Sequence, residues 1–337
     1  MPQMTIAEAL REGIREEMLR DPTVFCLGED IGIPGGFGGA FTVTLGLSDE
    51  FGHERILDTP ISEAGIAGVA IGAAMTGMRP IADVQYGDFL FCMMDQLANQ
   101  AAKMIYMSGG TVKVPMVMRA PVGATRRGSQ HAQSLEAFFT HIPGLKVLAP
   151  STAYDAKGLL KSAIRDDNPV LIFEHKLLYG SKGGRAEKGA LSTVGEVPEA
   201  EYTVPIGKGI IRREGKDVTL VGKLLTVYRA LGAAEQLAQE GIEAEVIDPR
   251  TLVPLDRELI LESVHKTGRL VVVEEDNRTH GWAAEIAAMV AEEAFFYLDA
   301  PIKRVSAPDT PPPFAPVMED FYIPSEERVF EAVKSLF

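Results

Sequence analysis

Asp217-Val-Thr-Leu-Val221 and Ala244-Glu-Val-Ile247 flank the helical pattern Val227–Glu240, which Gly241 closes. A short apolar run, a period near 3.6 stopped by glycine, and a second short apolar run make a strand–helix–strand unit. The alternation continues toward the C-terminus. Asp256–Thr267 reads as a helix closed by Gly268, Arg269–Val273 as a strand, Ala283–Tyr297 as a helix and Ile302–Val305 as a last strand. A proline-rich turn, Pro308 to Pro316, leads to a terminal helix at Ser325–Leu336. Strands that alternate with helices of this length imply a mainly parallel, doubly wound sheet.

Toward the N-terminus the same grammar repeats. Strands are expected at Val24–Leu27, Pro80–Gln85, Pro115–Arg119, Lys146–Ala149 and Val170–Glu174, and helices at Glu63–Met75, Phe89–Met107 and Ala153–Arg165. Thr5-Ile-Ala-Glu8 reads as a capping box that opens a first helix, with Ile6, Leu10, Ile14 and Leu19 on its buried side and Asp21-Pro22 as its stop. Gly180 to about Val204 is rich in Gly, Lys, Glu and Ser and holds no period, so it reads as a linker. The expectation is an α/β protein of two doubly wound domains, residues 1–180 and 206–337, joined by 181–205.

Composition excludes several classes of function. The 337 residues carry 33 Lys plus Arg against 47 Asp plus Glu, a net charge of −14 that repels phosphate backbones and anionic membranes. Nucleic acid and membrane partners are therefore not expected. Two cysteines, Cys26 and Cys92, build no disulfide framework and fit a reducing, cytoplasmic setting. The longest apolar stretch, Ala64 to Met78, falls short of the ~20 residues of a spanning helix. No dinucleotide glycine fingerprint, Walker loop, H-E-x-x-H, G-x-S-x-G or Cys/His metal spacing occurs.

Three loops remain where chemistry can sit. In Asp58-Thr-Pro-Ile-Ser-Glu63-Ala-Gly65, Ser62 or Thr59 is placed to cap the next helix and Glu63 falls in its first turn. On the residues alone, Glu63 is either a complement to the helix dipole, worth ~0.3–1 kcal/mol, or a functional carboxylate. Gly65, Gly68, Gly72, Ala73 and Gly77 leave that helix nearly bare, which suits the close approach of another backbone, in this chain or a partner. Arg119 to Gln133 is a long polar loop whose single histidine, His131, is either structural or part of a site. In Tyr86-Gly-Asp-Phe89-Leu-Phe91 the aromatics follow a strand, and core packing is the simpler account.

At these loops the sequence resembles a known family. The stretches that match are Asp58 to Gly65, Met94-Asp-Gln-Leu-Ala-Asn-Gln-Ala-Ala-Lys103, Gln130-His-Ala-Gln133 and His141-Ile-Pro-Gly-Leu-Lys146. Asp155 to Leu160, Ala163 to Pro169, Lys266 to Leu270 and Ala307 to Pro311 match as well. The chain is similar, nearly end to end, to the beta subunit of the thiamine-diphosphate-dependent first component of 2-oxo acid dehydrogenase complexes. That group handles pyruvate, branched-chain 2-oxo acids and acetoin.

The resemblance implies a transketolase-like pyrimidine-binding domain followed by a transketolase C-terminal domain. It implies that Glu63 contacts a ring nitrogen of the cofactor's aminopyrimidine and so helps remove the thiazolium C–H proton. Phe89 falls on an aromatic position beside the pyrimidine, and His131 on a histidine at the mouth of the site. Met116, Ala163, Ile164, Asp166 and Asn168 fall on a potassium site held mainly by carbonyls. The magnesium–diphosphate motif of the family is not in this chain; in the family it belongs to an alpha subunit, in a tetramer of two alpha and two beta. The C-terminal half is implied to pair beta with beta and to dock the lipoyl acyltransferase core. The function expected from all this is pyruvate dehydrogenation with acyl transfer to lipoamide, with acetoin or a branched-chain 2-oxo acid as the alternative. A non-catalytic flavin or nucleotide module and a structural scaffold are the rivals from other classes.

Departures from the family pattern are specific. Arg126-Arg127 replaces a Gly/Ala-rich run; the simpler account leaves both arginines on solvent or against the alpha chain, and the alternative is that one pairs with the substrate carboxylate or a second acidic group. Ala132 stands for a common serine, and Leu220-Val-Gly-Lys-Leu-Leu225 lacks the usual Tyr-Gly-Ser-type turn.

Overall fold

The computed structural model describes residues 1–33, 35–180 and 191–337. The first half runs β1 (Gln3–Met4), α1 (Ile6–Arg20), β2 (Val24–Gly28), α2 (Leu47–Phe51), β3 (Ile56–Asp58), α3 (Glu63–Met75) and β4 (Arg79–Asp83). It continues with α4 (Ala102–Met107), β5 (Val117–Val122), α5 (Glu136–Thr140), β6 (Lys146–Leu148), α6 (Ala153–Arg165) and β7 (Val170–His175). After β8 (Gly195–Glu196), the second half runs β9 (Ile210–Arg213), β10 (Val218–Gly222), α7 (Leu225–Gln239), β11 (Ala244–Asp248), β12 (Thr251–Val253) and α8 (Arg257–Thr267). It closes with β13 (Leu270–Asn277), α9 (Trp282–Glu293), β14 (Lys303–Ala307), α10 (Pro316–Tyr322) and α11 (Glu326–Lys334).

Two sheets carry the architecture, in orders β12-β6-β7-β5-β4-β2-β3 and β14-β13-β10-β11-β9. Apart from β12 and β9, which pair antiparallel at their edges, the strands are parallel. Strands β2, β5, β7, β10 and β11 are buried from end to end. That pattern is what a parallel sheet covered on both faces requires. The expected α/β class and doubly wound layout stand.

Local signals act where they are strong. The Thr5 hydroxyl accepts from Glu8 N while the Glu8 carboxylate accepts from Thr5 N, so the capping box is real. Ile6, Leu10 and Ile14 are buried, but Leu19 is 59% exposed and Met18 takes its place. At 100° per residue Met18 continues the Ile6–Leu10–Ile14 stripe, and Leu19 is rotated off it. Helices Glu63–Met75 and Ala153–Arg165 lie where expected.

Two features depart from expectation, and a third narrows it. The helix expected over Phe89–Met107 is instead a 3-10 segment (Gly87–Met93), a π turn (Gln96–Ala101) and then α4. The tight winding sets Gly87 against Pro121 and Val122, whose atoms a Cβ there would meet at 3.0 and 2.6 Å. Strand β12 belongs by sequence to the second half yet completes the first sheet beside β6. Arg250, just before β12, anchors this crossing with an ion pair to buried Asp155 at 2.9 Å. Lastly, Ala64, Gly65, Gly68, Val69 and Gly72 of α3 are exposed, and the space beside Gly68 and Gly72 is open. No backbone of this chain covers the bare helix among the described residues. The first part of the expected linker, 181–190, lies outside those residues, and the stretch that follows contributes β8, paired with β1.

Candidate active site

The parallel strands β2, β4, β5 and β7 end along one edge of the first sheet, where ligands of doubly wound folds bind. Glu29 follows β2 and Glu63 opens α3. The Ser62 side chain makes no capping bond, and the Thr59 hydroxyl is buried without a partner. Glu63 is half-buried and takes no hydrogen bond or ion pair from the described residues. Burial raises the carboxyl pKa of Glu29, and the charges of Glu63, Asp30, Asp83 and Asp58 raise it further. Several carboxylates thus converge on the edge from β2, β3, β4 and α3.

An aromatic wall stands next to them. The His131 ring meets Tyr86 edge-on at 4.9 Å and Phe89 at 5.4 Å, and Tyr86 meets Phe89 at 5.8 Å. Phe41 touches the edge of Tyr86 and stacks on Tyr179 at 4.7 Å. The Lys176 ammonium lies 5.0 Å over Tyr86 and donates to the His131 carbonyl. Gln85 donates to the Glu29 carbonyl and accepts from Ala40 N, which ties the acidic edge to the connection between β2 and α2. Helix α3 packs on the 3-10 segment that carries Phe89. Phe91 turns away and pairs with Phe138.

Beneath the wall sits a buried ionic layer. Arg119 on β5 grips Glu174 on β7 with two bonds, Nε to Oε1 at 2.9 Å and Nη2 to Oε2 at 2.6 Å, and also pairs with Asp83 on β4. The Tyr179 hydroxyl donates to Glu174 at 2.5 Å. Burial pushes the Asp83 carboxyl up to about 6, against the pull of Arg119. Burial also raises the Tyr179 phenol, and Glu174 adds to the shift.

The loop that carries His131 is tied to both halves of the chain. Gly123 has φ +91°, and a Cβ there would overlap the ring of His175 at 2.0 Å, so glycine is required. The His175 Nε2 lies 2.8 Å from Glu275, which also accepts from Ala124 N at 2.6 Å. Arg126 N donates to Glu319 and its guanidinium pairs with Asp320 at 2.9 Å, so this arginine is engaged by the second half. Gln133 binds Asp88 through Nε2 at 2.7 Å.

The carbonyl-rich turn also assembles. Val170 N donates to Met116 O at 2.9 Å, Asp166 N to Ala163 O, and the Asn168 side chain to the Asp166 carboxylate at 2.8 Å. The Arg79 guanidinium donates to the carbonyls of Ile164 and Asp166 at 2.9 and 3.0 Å.

Structure therefore brings Phe89 and His131 together and sets Glu63 on the adjoining helix, while the carbonyl turn gathers separately. The sequence already set Tyr86 among the aromatics of its loop, but it did not point to Lys176, Glu29 or the His175–Glu275 pair. The strand-end position of Glu29 was a usable signal; the others depend on contacts far apart in sequence.

Two family matches cover most of the chain: "Transketolase, pyrimidine binding domain" over residues 2–182 and "Transketolase, C-terminal domain" over 207–329. A split-gene transketolase, described as an inactive beta4 tetramer, has a similar fold, with TM-score 0.78, 24% identity and 99% and 98% of the two chains covered. Fold and site thus define a transketolase-type α/β chain. Among curated proteins, the 2-oxoisovalerate dehydrogenase subunit beta of Bacillus subtilis is 47% identical, covering 100% of this chain and 99% of its own. The acetoin:2,6-dichlorophenolindophenol oxidoreductase subunit beta of Cupriavidus necator is 50% identical, with 98% and 97% covered. The pyruvate dehydrogenase E1 component subunit beta of Rickettsia felis is 47% identical, with 99% and 98% covered. The chain belongs to the beta subunits of the thiamine-diphosphate-dependent 2-oxo acid and acetoin dehydrogenase family, which are oxidoreductases.

Proposed function

We propose that this chain supplies the pyrimidine side of a thiamine-diphosphate site, that Glu63 is its activating carboxylate, and that pyruvate is the substrate. One observation carries the reading: the Glu63 carboxylate is half-buried and free of partners among the described residues, in the first turn of a helix that packs on the segment carrying Phe89 of the aromatic wall. A free carboxylate there fits a basic ring nitrogen, and Phe89 offers apolar surface to a flat heterocycle. Thiamine diphosphate, when bound, supplies the carbon acid and electron sink that side chains lack. Glu63 holds the proton at the ring nitrogen, Phe89 positions the ring, and His131 exchanges protons on the substrate side. Relatives named for branched-chain, acetoin and pyruvate substrates stand at 45–50% identity, so acetoin and 2-oxoisovalerate are the alternatives. Comparing rates for the three with the assembled enzyme tests the choice, and a preference for either alternative replaces pyruvate.

The relatives are named beta subunits, and we assign the magnesium–diphosphate end of the cofactor to an alpha partner. The exposed small-residue face of α3 suits a subunit interface, and the C-terminal half is assigned to beta–beta pairing and to docking a lipoyl acyltransferase core. Titration calorimetry of the isolated chain should show at least a hundredfold weaker binding of thiamine diphosphate with magnesium than the two-subunit complex shows. Equal affinity would return the diphosphate site to this chain. The unpaired cysteines Cys26 and Cys92 support a cytoplasmic setting.

The turn of Met116, Ala163, Ile164, Asp166 and Asn168 is assigned to potassium. Carbonyl oxygens are the right donors for a hard cation, and two of them already converge on the positive charge of Arg79. Replacing tetramethylammonium with potassium should raise the thermal midpoint by about 2–4 °C, the size of roughly 1 kcal/mol in a chain of this class. An unchanged midpoint withdraws the assignment.

A further inference from the structure

Lys223, in the turn that departs from the family pattern, occupies a closed site between the two halves. Its Nζ lies 3.0 Å from Glu136 Oε1 and 3.4 Å from Asp276 Oδ2, and none of the three side chains is more than 4% exposed. Glu136 opens α5, at the end of the loop that carries His131, and Asp276 lies on β13. One cation against two carboxylates would leave an uncompensated charge in the interior, which is strongly disfavoured. Glu274, also buried on β13, offers no relief, because it is another carboxylate and is bound to Ala283 N and the Ser306 hydroxyl.

Hydrogen-bond accounting leads to the same place. Beyond the ion contact of Oε1 with Lys223, neither oxygen of Glu136 is hydrogen-bonded and Asp276 Oδ1 has no donor, while Trp282 N reaches Asp276 Oδ2 at 3.3 Å. Two ionised carboxylates cannot donate to one another. A proton kept on Glu136 makes it a donor to Asp276, supplies the hydrogen bond that Asp276 Oδ1 lacks, leaves Glu136 Oε1 to the Lys223 ammonium and makes the three-residue cluster neutral. We propose that Glu136 is a positioning residue that stays protonated at neutral pH and, through Asp276 and Lys223, latches the end of the His131 loop onto the second half. Ala124 N on Glu275 and Ser129 on the Pro312 carbonyl hold the earlier part of that loop. The link to turnover rests on the reading that His131 acts at the site; the latch itself does not.

The groups that face Glu136 are Lys223 after β10 and Asp276 on β13, with Glu274 beside Lys223. Burial pushes the Glu136 carboxyl up to about 8, with Lys223 opposing and Asp276 adding to the rise. Its ordinary value is 4.5, so the stabilising effect of this proton is complete below that pH and is lost as pH rises toward about 8. The loss is about tenfold in the folding constant per pH unit across that window.

Glu136→Gln keeps shape and donor but cannot ionise, whereas Glu136→Ala removes the donor. Deuterium uptake by the peptide spanning 123–136, thermal midpoint and kcat are to be followed from pH 6.5 to 9.5 in the two-subunit enzyme. The Gln variant should match wild type at pH 6.5 and, at pH 9, keep the loop protection that wild type has lost. The Ala variant should raise uptake about tenfold over the Gln variant at every pH and lower kcat more than it changes KM. If Gln exposes the loop at pH 6.5, Glu136 is an ionised partner of Lys223 and the proposal falls. A parallel loss in Gln and wild type between pH 6.5 and 9 also overturns it. If Ala does not fold, the Gln comparison alone decides. If uptake behaves as expected but neither Glu136→Ala nor His131→Ala changes turnover, the latch stands and the role given to His131 fails.

Discussion

Glu63→Gln is expected to fold and assemble as wild type does while losing about 10²–10⁴ in turnover, the usual worth of positioned acid–base assistance. The carboxylate has no hydrogen bond or ion pair to lose within the described residues. Glutamine therefore costs the fold at most the ~0.3–1 kcal/mol of a helix-dipole contact. What glutamine cannot do is hold the proton at a cofactor ring nitrogen. Hydrogen exchange at the thiazolium carbon of bound cofactor, followed by NMR in the two-subunit complex, should slow in step with turnover. This readout does not depend on which acyl substrate the enzyme uses. Wild-type exchange in the variant would assign activation to another carboxylate, with Glu29 first in line because its charge is coupled to that of Glu63.

The second large effect is structural. Arg119→Met should destabilise the chain by about 3–5 kcal/mol, the cost of leaving buried carboxylates without their cation. Arg119 satisfies both oxygens of Glu174 and pairs with Asp83, so three strands of the first sheet lose a common tie. A fall in the thermal midpoint of about 10 °C is expected at pH 8. The deficit should narrow in acid. Asp83, already pushed up to about 6, will rise further without Arg119, and its protonated form is cheap to bury. A raised carboxyl pKa contributes stability at low pH that is lost as pH climbs through the folded value, so the gap between wild type and variant opens above about pH 6. Equal midpoints at pH 8 would show that this layer is not a stabilising element.

Sequence patterns made the helix Ala153–Arg165 legible because nearby groups bound it, and Glu63–Met75 because a continuous apolar run follows the turn at Thr59-Pro60, although no side chain caps it. Thr152 accepts from Asp155 N, and the apolar stripe of α6 repeats within its own turns. Where those local signals weaken, the pattern does too. β3 and β9 are short edge strands with no long apolar run, and they went unmarked. β12 could be placed in the first sheet only by the fold, since its partners Val147 and Leu148 lie about a hundred residues away. Of the candidate site, the motif around Glu63 and the position of Phe89 and His131 could be read in line. The wall they share with Tyr86 and Lys176 could not, because it joins the ends of separate strands.

By itself the sequence determined the class of fold, the family and the types of side chain the chain brings to its site. Hydrophobic period, capping residues and motif spacing are properties of neighbours along the chain, and they survive without coordinates. Tertiary structure decided which charges are kept. Burial and contact between residues far apart in sequence set the proton affinity of a carboxyl. So Arg119 became the tie between Asp83 and Glu174, Glu63 was left without a partner among the described residues, and Glu136 was enclosed beside Lys223 and Asp276.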